Sequence, residues 1–544
     1  MTWRQVSELK SILSKESGYI IKGGQFKFAL TYPNFYNVGM SNLGMHIIYQ
    51  LLNSRAEISC ERFFLPTEKI ISEIERDNSS LMSVETQTPL KNFNVVAFAI
   101  SFEQDYFNVV KILRLGKINP LAKSRTKFDP ILIAGGPCAT FNPAPLSAIF
   151  DAFVIGEAEV ILPQIVDVLT DNQNISRADL LEKISEVKGV YVPAFPKKNI
   201  TRQFVKNLDD YPAHSVIITD DTEFNMYLLE TARGCGRHCR FCMAGYCFRK
   251  PRNRSLKTLQ AAVDDAKHFN KKIGLMGAAI SDYPQINERC KVILDDNLKM
   301  SVASFRADSV TCELVDALAE SGLKTLTIAP EVGSEKMRRV TNKGITEENI
   351  FNAVKLGINA GIKNFKLYFM IGLPFEEMSD IDAIAELVIK LKNFVPDCKF
   401  TLSVNPFIPK PFTPFQWAAM ADKKYLNAAL KNLRGKLKKF RDIEIISESL
   451  KSARVQAILS RGDKNLADIV AQSDSAQKFM ELFKAAGLDE NFYLGEKTFE
   501  EILAWDIINQ GVTKKYLWQE YQRAKNLQYT LRCFDGCKRC GVCK

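Results

Sequence analysis

RGCGRHCRFCMAGYCFRKPRNR, residues 233–254, sets Cys235, Cys239 and Cys242 in a Cys-x-x-x-Cys-x-x-Cys run, with Cys247 slightly out of step behind them. Four thiolates close an iron–sulfur cluster and suit it to electron transfer, whereas three leave one iron free to bind a substrate. The competing reading is a zinc site completed by His238 or Cys247. Both fit poorly: Cys247 lies past Gly245 at the wrong spacing, and His238 adjoins Cys239. The basic residues that follow, Arg249, Lys250, Arg252, Arg254 and Lys257, are expected to border the mouth of the site.

The surroundings of this loop set the fold. From 226 to 409, apolar strand-like runs recur with helical segments between them: MYLLETARG, IGLMGA (273–278), SVASFRA (301–307), KTLTIAPE (324–331), FKLYFMIG (365–372) and FTLSVNPFIP (400–409). Six strand–helix units of this kind read as a partial (β/α)6 barrel of the TIM type, and the thiol run then lies in the loop after its first strand. Upstream, QFKFALTYP (25–33), VVAFAIS (95–101), PILIAGG (130–136), AFVIGEA (152–158) and GVYVPAF (189–195) read as a parallel sheet covered on both faces. The fold class is therefore α/β, with a doubly wound Rossmann-like domain over 1–210, the barrel over 215–415, a mainly helical region over 416–532 and a Cys-rich tail over 533–544. Polar 196–220 and Pro-rich 406–415 read as linkers.

A chain of 544 residues with 13 cysteines is too thiol-poor for a disulfide scaffold, and the clustering of seven of them in 235–242 and 533–543 indicates metal or redox chemistry in a reducing compartment. The start has no signal-peptide core and no later run is long enough to span a membrane, so a cytoplasmic protein without a membrane partner is expected. The net charge of +11 permits a polyanionic partner without requiring one. Much of it gathers in KKYLNAALKNLRGKLKKFR (423–441), where Leu426, Leu430, Leu433 and Leu437 share one helical face. That is a solvated amphipathic helix or, alternatively, a track for RNA.

On the cysteine triad and the order of its companions the chain resembles the radical S-adenosylmethionine (SAM) superfamily. The resemblance implies a [4Fe–4S] cluster on Cys235, Cys239 and Cys242, with Phe241 packed near the adenine of SAM. It places Gly277 and Ala278 of GLMGAAISDYP at the SAM amino group, and Ser304, Arg306 and Glu331 near the ribose and carboxylate. LYFMIGLPFEE (367–377) looks like the superfamily's fifth-strand motif. With AGGP (134–137) and VIGEAE (154–159), the upstream domain resembles that of the cobalamin-binding class, which implies Gly135, Gly136, Gly156 and Glu157 as cofactor contacts. Taken alone, such glycines are more often required by tight turns. The loop NFYNVGMSNLG lacks the Asp-x-His-x-x-Gly motif that supplies a lower-axial histidine to cobalamin, and His46 reads as a core or capping residue.

Cys533, Cys537, Cys540 and Cys543 offer four thiolates within eleven residues, enough for zinc or a second iron–sulfur cluster. Together these features lead to an expected enzyme that cleaves SAM to a 5′-deoxyadenosyl radical and methylates an unactivated carbon with the help of cobalamin. Its electron donor would be a flavodoxin or ferredoxin. The alternatives are non-methylating radical chemistry (rearrangement, cyclisation or sulfur insertion), with RNA as one substrate class, and a cluster-bearing RNA-binding or sensor protein without turnover. No catalytic acid or base is evident; Tyr246, Cys247 and Tyr283 are candidates by position alone.

Overall fold

Strands β1 (Phe26–Tyr32), β2 (Ile58–Phe64), β3 (Val95–Ala99), β4 (Ile131–Gly135), β5 (Ala152–Val154) and β6 (Val190–Tyr191) form one sheet in the order β2-β1-β3-β4-β5-β6. The first five run parallel and β6 is antiparallel to β5. Their side chains are buried almost throughout, as both faces of a doubly wound sheet require. The order reverses between β1 and β3, which makes the crevice at the carboxyl ends of those strands the natural ligand position.

Strand β2 is absent from the sequence expectation because Glu61 and Arg62 interrupt its apolar run. All seven of its residues are nevertheless buried. Arg62 pairs with Glu16 and with Glu85, each at 2.6 Å, and the Thr86 hydroxyl donates to Glu61 at 2.7 Å. A buried charge is tolerable once it is paired and hydrogen-bonded.

The computed structural model describes residues 2–534 and 536–543. They divide into two compact units, the first comprising 1–228, 458–493 and 502–510, and the second 229–457, 494–501 and 511–544. The divisions expected from composition at 416 and 532 thus do not coincide with compact units. In the first unit Asn142 Nδ2 donates to the carbonyls of Ser460 and Gly462 at 3.1 and 2.7 Å, and Ile200 pairs with Ile508. The expected linker 196–220 is in part built into this packing, with Val205, Leu208 and Ala213 buried. No helix among the described residues is long and apolar enough to cross a membrane.

The second unit begins within β7 (Met226–Glu230), which forms one sheet with β8 (Lys272–Met276) and β9 (Met300–Ser301). A second contains β10 (Thr325–Glu331), β11 (Asn364–Ile371), β12 (Lys399–Pro406) and β13 (Ile443–Ile446), all parallel. A parallel bridge between Phe305 and Ile328 joins the two sheets into an open run of seven strands, one more than the six expected. Along β11 Phe365, Leu367, Phe369 and Ile371 are buried, and Lys366, Tyr368 and Met370 alternate with them half-buried. Alternation puts the second set on the face opposite the apolar one, where a barrel keeps its lumen. The helix Lys423–Leu437 buries Leu426, Leu430, Leu433 and Leu437 and leaves Lys424, Lys431 and Lys438 exposed.

Candidate active site

The thiol loop leaves β7 through Gly234, whose φ of +87° suits glycine and where a Cβ would stand 2.2 Å from the Phe248 carbonyl oxygen. Beyond it Cys239 is buried and Cys235 and Cys242 are half-buried. The Arg237 amide donates to Cys235 Sγ at 3.4 Å, and Arg306 Nη1 lies 3.6 Å from Cys239 Sγ. Burial, and then the neighbouring Cys239 and Cys235 thiols, push the Cys242 thiol up to about 12; burial also raises Cys235.

Among the described residues no three His, Cys, Asp or Glu side chains are gathered so that they could hold a metal ion. A four-iron cluster asks for something else, since each thiolate takes its own iron. Cys235, Cys239 and Cys242, in a desolvated loop with N–H donors aimed at two of the sulfurs, have the donor chemistry for it.

The other expected contacts lie at the carboxyl ends of the neighbouring strands. Gly277 and Ala278 follow β8 and Ser304 follows β9, and all three are exposed. Arg306 is buried; its Nε donates to Asp308 at 3.0 Å and its Nη2 to the Lys343 carbonyl at 2.6 Å. Glu331 ends β10 at a register shift with φ of +68°, a conformation uncommon outside glycine, and accepts from Lys343 Nζ at 2.9 Å. The same ammonium stands 6.0 Å from the centre of the Phe241 ring. Arg237 closes the group by binding Asp282 through two nitrogens, at 2.6 and 2.8 Å, and Asp308 at 2.7 Å. Phe241, Arg306 and Glu331 are thus brought to the thiol loop by Arg237 and Lys343, two residues that the motif reading passed over.

Of the five basic residues expected at the mouth, Lys250 and Lys257 are exposed, but the three arginines do not line it. Arg249, Arg252 and Arg254 are buried. Arg249 donates to the Gly245 carbonyl and lies 3.1 Å from His238 Nδ1, while Arg254 pairs with Glu230 at 2.6 Å. They brace the loop from behind. His238 turns away from the triad toward Tyr516, whose hydroxyl is 2.8 Å from Nδ1, so it does not complete a zinc site there. Tyr246 and Cys247 are fully buried and Tyr283 nearly so, with the two phenols donating to the carbonyls of His238 and Arg254. None of the three reaches open space. Arg240, between two cluster cysteines, is fully buried, pairs with Glu520 at 3.2 Å, and donates to the Arg339, Val340 and Gln528 carbonyls.

Residues 229–388 match the family described as the radical SAM superfamily, and residues 44–193 match radical SAM proteins, N-terminal. An uncharacterized protein of Methanocaldococcus jannaschii is 33% identical over 88% of this chain and 97% of its own length. The chain belongs to the radical SAM superfamily. An uncharacterized methyltransferase of Pyrococcus horikoshii is 23% identical over 48% of this chain and 58% of its own. In fold, the chain is similar to TsrM from Kitasatospora setae, a radical SAM methyltransferase solved with cobalamin and a [4Fe–4S] cluster bound. The TM-score is 0.51 at 12% identity, covering 85% of this chain and 100% of that one.

Membership of the superfamily makes this a radical SAM enzyme and implies a [4Fe–4S] cluster and SAM. In the N-terminal sheet three of the four expected cofactor contacts, Gly136, Gly156 and Glu157, are closely engaged with the protein itself. Gly136 and Gly156 have φ of +91° and +132°, and a Cβ on them would meet the Ile100 and Gln203 carbonyl oxygens at 2.6 and 2.0 Å. Glu157 is buried and accepts from the Val205 amide at 2.9 Å, whereas Gly135 would accept a Cβ at ordinary contact distance. His46 lies within the helix Leu43–Asn53, its Nε2 3.0 Å from the Met40 carbonyl and its Nδ1 accepting from the Val216 and Ile217 amides at 3.3 Å. The crevice between β1 and β3 instead carries Phe35 and Phe102, 43% and 40% exposed, one on each flanking loop.

Proposed function

We propose that this radical SAM enzyme methylates an unactivated carbon with cobalamin as methyl carrier. One observation carries the reading: a doubly wound sheet with a switch-point crevice precedes the thiol-bearing strands on the same chain, and the fold is similar to that of TsrM. When bound, a four-iron cluster and cobalamin supply, respectively, the electron that cleaves SAM and a carrier for the methyl group.

The chain's own residues would then do the following. Cys235, Cys239 and Cys242 hold the cluster and leave one position for SAM. Arg306 offers an N–H beside Cys239, and Arg237, Arg306 and Lys343, paired with Asp282, Asp308 and Glu331, form a charge-balanced polar wall beside the position that SAM would take. Gly277 keeps the end of β8 open, since a side chain there would meet Ile280 at 2.8 Å. Half-buried Lys366, Tyr368 and Met370 on β11, with Thr401 and Asn405 on β12, give the lumen a mixed polar lining for the substrate.

The test is anaerobic reconstitution with iron, sulfide and a strong reductant, with and without cobalamin, and mass spectrometry of what becomes of SAM. We expect 5′-deoxyadenosine in both cases and S-adenosylhomocysteine only when cobalamin is present. A Cys239→Ala variant should make no 5′-deoxyadenosine. Formation of 5′-deoxyadenosine alone, indifferent to cobalamin, would replace methylation with rearrangement, cyclisation or sulfur insertion.

A further inference from the structure

Cys533, the first cysteine of the tail, packs against the loop that carries the cysteine triad. The Cys533 amide donates to the Gly236 carbonyl at 2.8 Å, and a Cβ on Gly236 would lie 3.9 Å from that of Cys533. Just before it, Asn342 joins the two segments: its Nδ2 donates to the His238 and Thr530 carbonyls, and its Oδ1 accepts from the Thr530 amide. From there the backbone turns back twice, with the Cys537 amide on the Phe534 carbonyl and the Gly541 amide on the Lys538 carbonyl. Each turn contains a glycine in the left-handed region, Gly536 and Gly541, and the Cys540 carbonyl is fixed by the Thr513 amide at 3.0 Å. One cysteine at each turn, Cys537 and Cys540, is buried, and Cys533 and Cys543 are half-buried.

The thiols themselves are not placed as inert tail residues. Cys537 and Cys540 are 4% and 3% exposed, although they lie within eight residues of the chain end. Arg539 Nε donates to Cys537 Sγ at 3.2 Å. A guanidinium N–H aimed at a sulfur is the kind of outer-shell donor that a metal-bound thiolate requires.

We propose that Cys533, Cys537, Cys540 and Cys543 form a second metal centre, a four-thiolate site separate from the triad and seated against the loop that holds it. Four thiolates suffice for a thiophilic centre, zinc or an iron–sulfur cluster; because the sulfurs are not gathered around one point, the cluster, in which each thiolate takes its own iron, fits better than a single zinc. Adjacent thiolates repel one another without a cation, so the four sulfurs close fully only around the metal. This centre does not depend on the methylation reading.

The experiment measures iron, zinc and acid-labile sulfide per chain in anaerobically prepared full-length protein, in a Cys537→Ser/Cys540→Ser variant, and in a Cys235→Ala/Cys239→Ala/Cys242→Ala variant. The triad variant should keep the tail metal. The tail variant should lose one zinc, or four iron and four sulfide, and keep the cluster of the triad. A folded tail variant with wild-type metal content overturns the proposal, as does a triad variant free of all metal. Should the double variant not fold, alkylation of the wild-type protein decides: the four tail thiols are protected until a chelator is added. Ready alkylation without chelator, or a Cys533–Cys537 disulfide in place of metal, overturns it too.

Discussion

At the scale of single residues, His46 shows how a ring in a suggestive position can be fully committed to structure. It donates from Nε2 and accepts at Nδ1, so it must stay neutral, and burial holds its pKa near 4 against the usual 6.5. The unfolded chain therefore takes up this proton first. As pH falls from about 6.5 toward 4 the native state loses stability, by about 3 kcal/mol at most, and the loss levels off below that. Denaturant midpoints measured between pH 7 and 4 should fall more steeply for the wild type than for a His46→Gln variant. If cobalamin binds as proposed and His46 is a structural residue, the Co(II) spectrum should be unchanged by 15N-histidine labelling; a change that the His46→Gln variant abolishes would make His46 a cobalt ligand. Gly234 offers the complementary case, where a missing side chain is the requirement. Gly234→Ala forces a Cβ against the Phe248 carbonyl, and iron content per chain should fall below half of wild type, as judged by metal analysis after reconstitution.

At the scale of elements, the thiol loop is held from behind by the helix Lys514–Lys525. Glu520 on that helix is fully buried and accepts from Arg240 and from the Thr530 hydroxyl, at 3.2 and 2.8 Å. Removing one partner of a buried pair leaves an uncompensated charge, a loss of about 3–5 kcal/mol. Glu520→Gln should lower the thermal midpoint and reduce iron on the triad, although residue 520 lies almost three hundred positions from Cys239. Unchanged iron occupancy would show that the loop keeps its shape without this brace. The brace was invisible in the sequence: Arg240 reads as one more basic residue in a basic stretch, and nothing in KKYLWQEYQRAK marks Glu520 as its partner.

At the scale of the whole molecule, the first unit is completed by residues far along the chain. Phe107 packs on Phe479, with ring centres 5.7 Å apart, and Arg114 pairs with Asp474. Phe479 is fully buried, so Phe479→Ala should destabilise this unit by about 3–5 kcal/mol, seen as faster amide exchange in β3 and β4. If exchange there does not change, 458–493 contributes nothing to that core.

The sequence by itself determined the local chemistry: the spacing of Cys235, Cys239 and Cys242, the alternation of apolar runs that makes two parallel sheets, and the missing histidine motif. These depend on neighbours within a few residues, where spacing and periodicity are enough. Strand β2 escaped because its buried Arg62 is neutralised by Glu16 and Glu85, which only folding brings to it. For the same reason only the tertiary structure decided that Arg249 and Arg254 are buried braces, that Lys343 and Arg237 gather the site, and that Cys533 lies against the triad loop. Partners distant in sequence decide whether a charge faces water or a carboxylate, and one-dimensional spacing carries no record of them.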